Sequence, residues 1–239
     1  MSDLDGLAPQ RAPTNSRPLL GMTVLAVEDS RYASEALRLM CLRSGARIRR
    51  ADCLRSARRH LQVYRPSVAI IDLGLPDGSG AELIEDLDRA TPRVGVIIAT
   101  SGDAGAEATA LRAGADGFLL KPVESLSTFQ QQILRHLPAD RRPNGPYAIT
   151  DEVISPDPLA YRDDLEHVLN LLDGGHDAPV LSYISQFLTG VAQSAFDGAL
   201  AEAATKLARD NGAEAVAPMV GLIEKRLETR LAISGRALT

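Results

Sequence analysis

Val68-Ala-Ile-Ile-Asp72, running straight into Leu73-Gly-Leu-Pro-Asp-Gly-Ser-Gly80, decides how the first half of this 239-residue chain is read. Four apolar residues end on a carboxylate and then on a turn dense in Gly and Pro. A short apolar run bounded in this way suits a strand buried on both faces of a parallel sheet. In such a sheet, ligands bind beyond the carboxyl ends of the strands. Asp72 therefore stands where chemistry is done.

The same unit recurs on either side. Upstream, Met22-Thr-Val-Leu-Ala-Val27 ends on Glu28 and Asp29. Tyr32 to Arg43 has helical spacing through Leu37, Met40 and Cys41, and Gly45 stops it. Ile48 centres a weak strand, and residues 53–64 form a basic helix before Pro66. Downstream come a helix from about Ala81 to Arg89, a strand from Val94 to Thr100 and a helix of small residues from Ala104 to Ala113. Gly117-Phe-Leu-Leu120 makes a fifth strand before Lys121-Pro122, and a last helix runs to about Leu137. Strands alternating with helices predict an α/β fold: a doubly wound, five-stranded parallel sheet over residues 21–138.

Residues 1–20, with Pro9, Pro13 and Pro18 among polar neighbours, read as a disordered tail. Residues 139–157 read as a Pro-rich linker. Beyond it the pattern is wholly helical, with spans of roughly 159–173, 179–195, 198–210 and 214–234. Gly174-Gly175, Asp197-Gly198 and Asn211-Gly212 are the breaks. This predicts an all-α bundle domain over residues 158–239. Charge divides the same way. Residues 1–150 hold 19 Lys+Arg and 17 Asp+Glu, net +2, whereas residues 151–239 hold 7 and 14, net −7. An acidic second half argues against duplex DNA as its partner. The absence of Trp argues against a stacking platform for single strands. No apolar run is long enough to span a bilayer, and the N-terminus lacks the apolar core of a signal peptide. The expected setting is cytoplasmic, with Cys41 and Cys53 as reduced thiols.

Three carboxylates converging on one crevice repel one another unless a cation joins them. Oxygen-only ligands suit Mg2+, which binds through few carboxylates plus phosphate. With a metal at Glu28, Asp29 and Asp72, the Asp72 carboxylate is placed as a nucleophile toward a phosphoryl donor. Thr100 is positioned to hydrogen-bond the transferred group, and Lys121 to neutralise another of its oxygens. Taken singly, Glu28 and Asp29 suit a helix N-cap, Asp72 a turn and Lys121 a solvated surface. The joint placement at successive strand ends favours the site.

These pieces carry a resemblance. The acidic pair Glu28-Asp29, the stretch Asp72 to Gly80, Thr100, Ala113-Gly-Ala-Asp-Gly-Phe118 and Lys121-Pro122 together resemble the receiver domain of bacterial two-component response regulators. The resemblance covers Val24 to Leu137 and implies a flavodoxin-like fold. It implies phosphorylation of Asp72 by a histidine kinase or histidine phosphotransfer protein. It implies Mg2+ held by Glu28, Asp29, Asp72 and the backbone carbonyl of Gly74. It also implies a cis peptide before Pro122 and a switch role for Phe118. Ser101, next to Thr100, is the other candidate for the hydroxyl role.

A second resemblance lies between Leu172 and Gly190, which is similar to the core of a histidine phosphotransfer domain. There the aligned run is Gln186-Phe-Leu-Thr-Gly190, with Gln186 in the position of the phosphorylated His and Thr189 in that of a Lys. Gln has no basic ring nitrogen, so this resemblance implies a bundle that has lost its phosphoacceptor. An unrelated helical bundle is the plainer alternative. His167 and His176 read as surface histidines. The expected function is a phosphorylation-controlled signalling protein, not an enzyme, acting through a protein partner of its helical half, with homodimerisation possible. A phosphate sink that drains the donor is the alternative, and a DNA-binding regulator is a lesser one.

Overall fold

A computed structural model describes residues 12–143, 152–210 and 213–236. The first half alternates strand and helix: β1 Thr23–Val27, α1 Arg31–Ser44, β2 Arg47–Ala51, α2 Leu54–Val63, β3 Val68–Asp72, α3 Gly80–Arg89, β4 Val96–Ser101, α4 Glu107–Arg112, β5 Gly117–Leu120 and α5 Leu126–Leu134. All five strands are parallel, in the order β2-β1-β3-β4-β5. This is the flavodoxin-like fold expected. Successive strand residues face opposite sides. Val24 and Ala26 of β1 therefore join Ile70, Ile98, Met40 and Phe129 under α1 and α5, while Leu25 and Val27 join Ile71, Ile97, Leu54 and Ile84 under α2, α3 and α4. The edge strand β2 is protected differently: Arg47, Arg49 and Arg50 are exposed along it, and charge on an edge discourages pairing with other chains.

Two boundaries differ from expectation. The tail over 1–20 is corrected at its end: Leu19 is wholly buried in the α1/α5 core, and its N–H donates to Ser44 O at 2.9 Å. A local reading of Pro-rich sequence cannot see that burial, which is supplied by α1 and Leu137. The linker over 139–157 is corrected too. Leu126 N–H donates to Glu152 O and Ile154 N–H to Glu124 O, each at 3.0 Å, so Ile154 is buried against the first domain. The Asn211-Gly212 break lies outside the described residues.

The second half is α6 Pro158–Asp173, α7 Ala178–Ser194, α8 Gly198–Asp210 and α9 Ala213–Arg236. Asp157 caps α6 by accepting the Leu159 N–H at 2.9 Å, with Pro158 at the first turn where its missing N–H costs nothing. Each helix packs on the next, and α9 closes back on α6. Their shared core is Leu165, Val168, Ile184, Leu188, Leu200 and Leu207, among others. Among the described residues, no helix is long and apolar enough to cross a membrane.

Candidate functional site

The carboxyl ends of β1, β3 and β5 meet at one point. Asp72 closes β3 in register with Thr100 of β4. Lys121 follows β5, and its Nζ lies 2.9 Å from Glu28 Oε1 and 2.7 Å from Asp72 Oδ2. All three side chains are buried. Asp29 is half-buried beside them, and one ligand oxygen from each of Glu28, Asp29 and Asp72 lies within 4.8 Å of the others. The turn after β3 brings its own backbone close. A Cβ at Gly80 would overlap the carbonyl oxygen of Asp72, so only glycine fits there.

Three carboxylates face one ammonium, so negative charge is in surplus. Burial pushes the Glu28 carboxyl well above its usual range, opposed by Lys121 and assisted by Asp72. Burial and the charge of Asp72 raise Asp29 to about 7. Burial alone would lower Lys121, but Asp72 and Glu28 outweigh it and hold the ammonium charged. The Lys121 ammonium lies against both Glu28 oxygens, 2.9 Å from Oε1 and 2.8 Å from Oε2. An all-oxygen donor set with surplus negative charge fits a hard divalent cation such as Mg2+.

Of the two hydroxyl candidates, Thr100 Oγ1 is buried with no hydrogen-bond partner among the described residues. Ser101 Oγ already accepts the Asp103 N–H at 3.1 Å. The Gly74 N–H donates to Asp72 Oδ1 at 3.2 Å. Phe118 lies half-buried against the α2/α3/α4 core, and the peptide before Pro122 is cis. His167 and His176 are exposed, the former edge-on to Phe187. Cys41 and Cys53 are both free.

The helical half lies over this site. Gln186 is exposed in mid-α7, pointing away from the bundle core, and its amide rests against Gly74, leaving no room there for a Cβ. Tyr183 O–H donates to Asp29 Oδ2 at 2.7 Å. Burial and the Asp29 charge raise the Tyr183 phenol, which keeps it a donor. Asp164 of α6 is 2% exposed and sits on the N-terminus of α1. It accepts from Ser30 Oγ at 2.7 Å, Arg31 N–H at 2.8 Å and Tyr32 N–H at 3.0 Å. Burial raises the Asp164 carboxyl, against the pull of those N–H donors. Arg31 pairs with Asp163 at 2.6 Å. Asp164 and Tyr183 were missed by sequence reasoning. The signal for Asp164 is its place in the apolar stripe of α6, between Tyr161 and Val168; nothing local singles out Tyr183.

Residues 24–133 match the family model described as the response regulator receiver domain. The chain is 34% identical over 99 residues to the KDP operon transcriptional regulatory protein KdpE of Escherichia coli K12, covering 41% of this chain and 44% of that one. It is 31% identical over 117 residues to the virulence transcriptional regulatory protein PhoP of Salmonella typhimurium, covering 48% and 52%. It therefore spans about half the length of these curated relatives. The signal receiver domain of a histidine kinase from Syntrophus aciditrophicus aligns with a TM-score of 0.44 and 26% identity, over 48% of this chain and 89% of that one. By the family model, residues 24–133 are the part of the chain that matches the receiver domain.

Proposed function

We propose that the chain is a phosphorelay response regulator whose Asp72 accepts a phosphoryl group in a Mg2+-dependent reaction. The observation that carries the reading is Lys121 Nζ held at 2.7 Å from Asp72 and 2.9 Å from Glu28, with Asp29 completing the acidic cluster. An oxygen of Asp72 attacks phosphorus of a phosphohistidine on a kinase or phosphotransfer protein. The P–O bond forms as the P–N bond breaks, and the imidazole leaves with its electron pair and takes a proton from solvent. Glu28, Asp29, Asp72 and the Gly74 carbonyl would hold Mg2+, which neutralises the phosphoryl oxygens when bound. Lys121 exchanges a carboxylate for a phosphoryl oxygen as partner, and the orphan hydroxyl of Thr100 takes another. Output runs through protein–protein contact of the helical half. That half is read as phosphotransfer-like without its acceptor, supported by the exposed, mid-helix position of Gln186. The test is labelling by acetyl phosphate with Mg2+, resolved by phosphate-affinity electrophoresis. Labelling should vanish in Asp72→Asn. Labelling that persists in that variant, or none in the parent and its variants, rejects the assignment.

A further inference from the structure

The structure assigns the α7 face bearing Tyr183, Gln186 and Gly190 as a surface that binds the phosphorylation face of a receiver domain, here its own, and thereby excludes phospho-donors. This rests on the proposed phosphorylation of Asp72.

Space carries the argument first. With α7 in place, the cavity between Asp72, Lys121 and Gln186 has a volume of about 20 Å3. That holds about one water or ion. A phosphoryl group with a donor's leaving group behind it exceeds that cavity, and the larger spaces beside it, about 130 Å3 against Thr100 and Lys121 and an open cleft against Glu28 and Asp29, are not lined by Asp72. Tyr183 holds a metal-site carboxylate, Gln186 lies on the Gly74 backbone, and Gly190 brings backbone over Lys121. Specificity comes from a second contact. Asp164 caps α1 with three hydrogen bonds, and Tyr161 packs edge-on against Tyr32 at 5.8 Å. One face of α7 and the start of α6 thus read two features of a receiver together, its acidic pocket and the N-terminus of the helix after β1. A phosphohistidine presented by a donor helix must reach the same Asp72, so donor and α7 compete. Gln186 occupies the approach without a nitrogen that can carry phosphate. By linkage, phosphorylation expels α7 by the same factor that docking suppresses phosphorylation.

A disulfide tests this directly. A Cβ on Gly102 would lie 3.6 Å from Gly190 Cα, which places the two residues side by side across the contact, with only the end of the Gln193 side chain in the way. In full-length Gly102→Cys/Gly190→Cys on a Cys53→Ser background, oxidation locks the docked state. A second protein, Tyr183→Ala/Asp164→Ala, releases it. Acetyl phosphate with Mg2+ is the probe. If nine chains in ten are docked, the competent fraction is about one tenth, so the released protein labels roughly 10-fold faster than the parent. The oxidised tether labels at least as much slower, and reductant restores it. Equal rates in parent, oxidised tether and released protein overturn this inference alone. So does failure of the disulfide to form under oxidation. No labelling in any form overturns the phosphorylation reading and this inference with it.

Discussion

Replacing Asp164 with alanine isolates the energy of the contact between the two halves. The carboxylate is 2% exposed and accepts three hydrogen bonds from Ser30, Arg31 and Tyr32 at 2.7–3.0 Å. Hydrogen bonds to a charged acceptor contribute about 1.5–3 kcal/mol each net of exchange with water, so the two backbone N–H bonds alone, at the low end, contribute about 3 kcal/mol. A cap contributes about 1 kcal/mol and the helix dipole about 0.5. Ser30 Oγ keeps its own bond from the Ala33 N–H at 3.0 Å, so α1 does not lose its cap entirely. The net loss is about 3 kcal/mol, which lowers the docking constant roughly 100-fold. Asp164→Asn keeps one acceptor oxygen and loses the charge, so about half that cost is expected. Amide hydrogen exchange at Arg31 and Tyr32 reads the effect locally, and thermal melting reads it globally. The parent should melt in one transition and Asp164→Ala in two, because the cores of the two halves share no buried cluster. Unchanged protection at Arg31 and Tyr32 in Asp164→Ala would refute the reasoning, since those amides would then owe nothing to α6.

Asp197 offers a parallel case inside the bundle. It accepts from Tyr161 O–H at 2.9 Å, from Arg226 and from the Leu200 N–H at 3.2 Å, tying α6, α8 and α9 together. Asp197→Ala should cost the bundle about 2–4 kcal/mol, read by circular dichroism in urea. Burial alone would raise this carboxyl, but Arg226 and Tyr161 hold it below the usual range. A depressed folded-state value gives stability that is full above about pH 4 and lost as pH falls through the lower folded value. The parent should weaken in that acid window and the variant should not; identical acid profiles would contradict it. The two thiols should separate by reactivity. Burial pushes Cys41 up to about 12, while Cys53 is half-buried at the start of α2. At pH 8 one thiol per chain should react with a disulfide reagent, and the second only on unfolding. Two thiols reacting at one rate would be the contrary result.

How far sequence reaches here follows from the range of the forces involved. The β3 strand and its turn are local: hydrophobic run, carboxylate and Gly-rich turn sit within thirteen residues, from Val68 to Gly80. Helices α6 to α9 are legible for the same reason, because periodicity and paired glycines are local signals. Leu19 and Ile154 are not, since each is buried only by elements distant in the chain. The convergence of Glu28, Asp72, Thr100 and Lys121 is legible because parallel topology brings strand ends together without further detail. The roof over that site is not. It depends on Asp164 finding α1 and Tyr183 finding Asp29, contacts 133 and 154 residues apart in sequence. A polar residue inside an apolar helical stripe is the trace such a contact leaves, and Asp164 carries it.

The chemistry of α7 explains why its cover can be reversible. From Ala178 to Ser194 the helix has no charged residue, and it meets a pocket where three carboxylates surround one ammonium. Tyr183 satisfies Asp29 with a neutral hydroxyl, and Gln186 offers an amide. A lysine in either place would halve the surplus charge and compete with a metal ion at full Coulombic strength. A neutral donor contributes only about 1 kcal/mol and leaves the surplus in place. The pocket therefore retains its attraction for a divalent cation beneath the docked helix. Docking energy is placed instead at Asp164 and the N-terminus of α1. The two contacts divide the work: α6 supplies affinity, α7 supplies occlusion, and the arrival of a phosphoryl group opposes only the second.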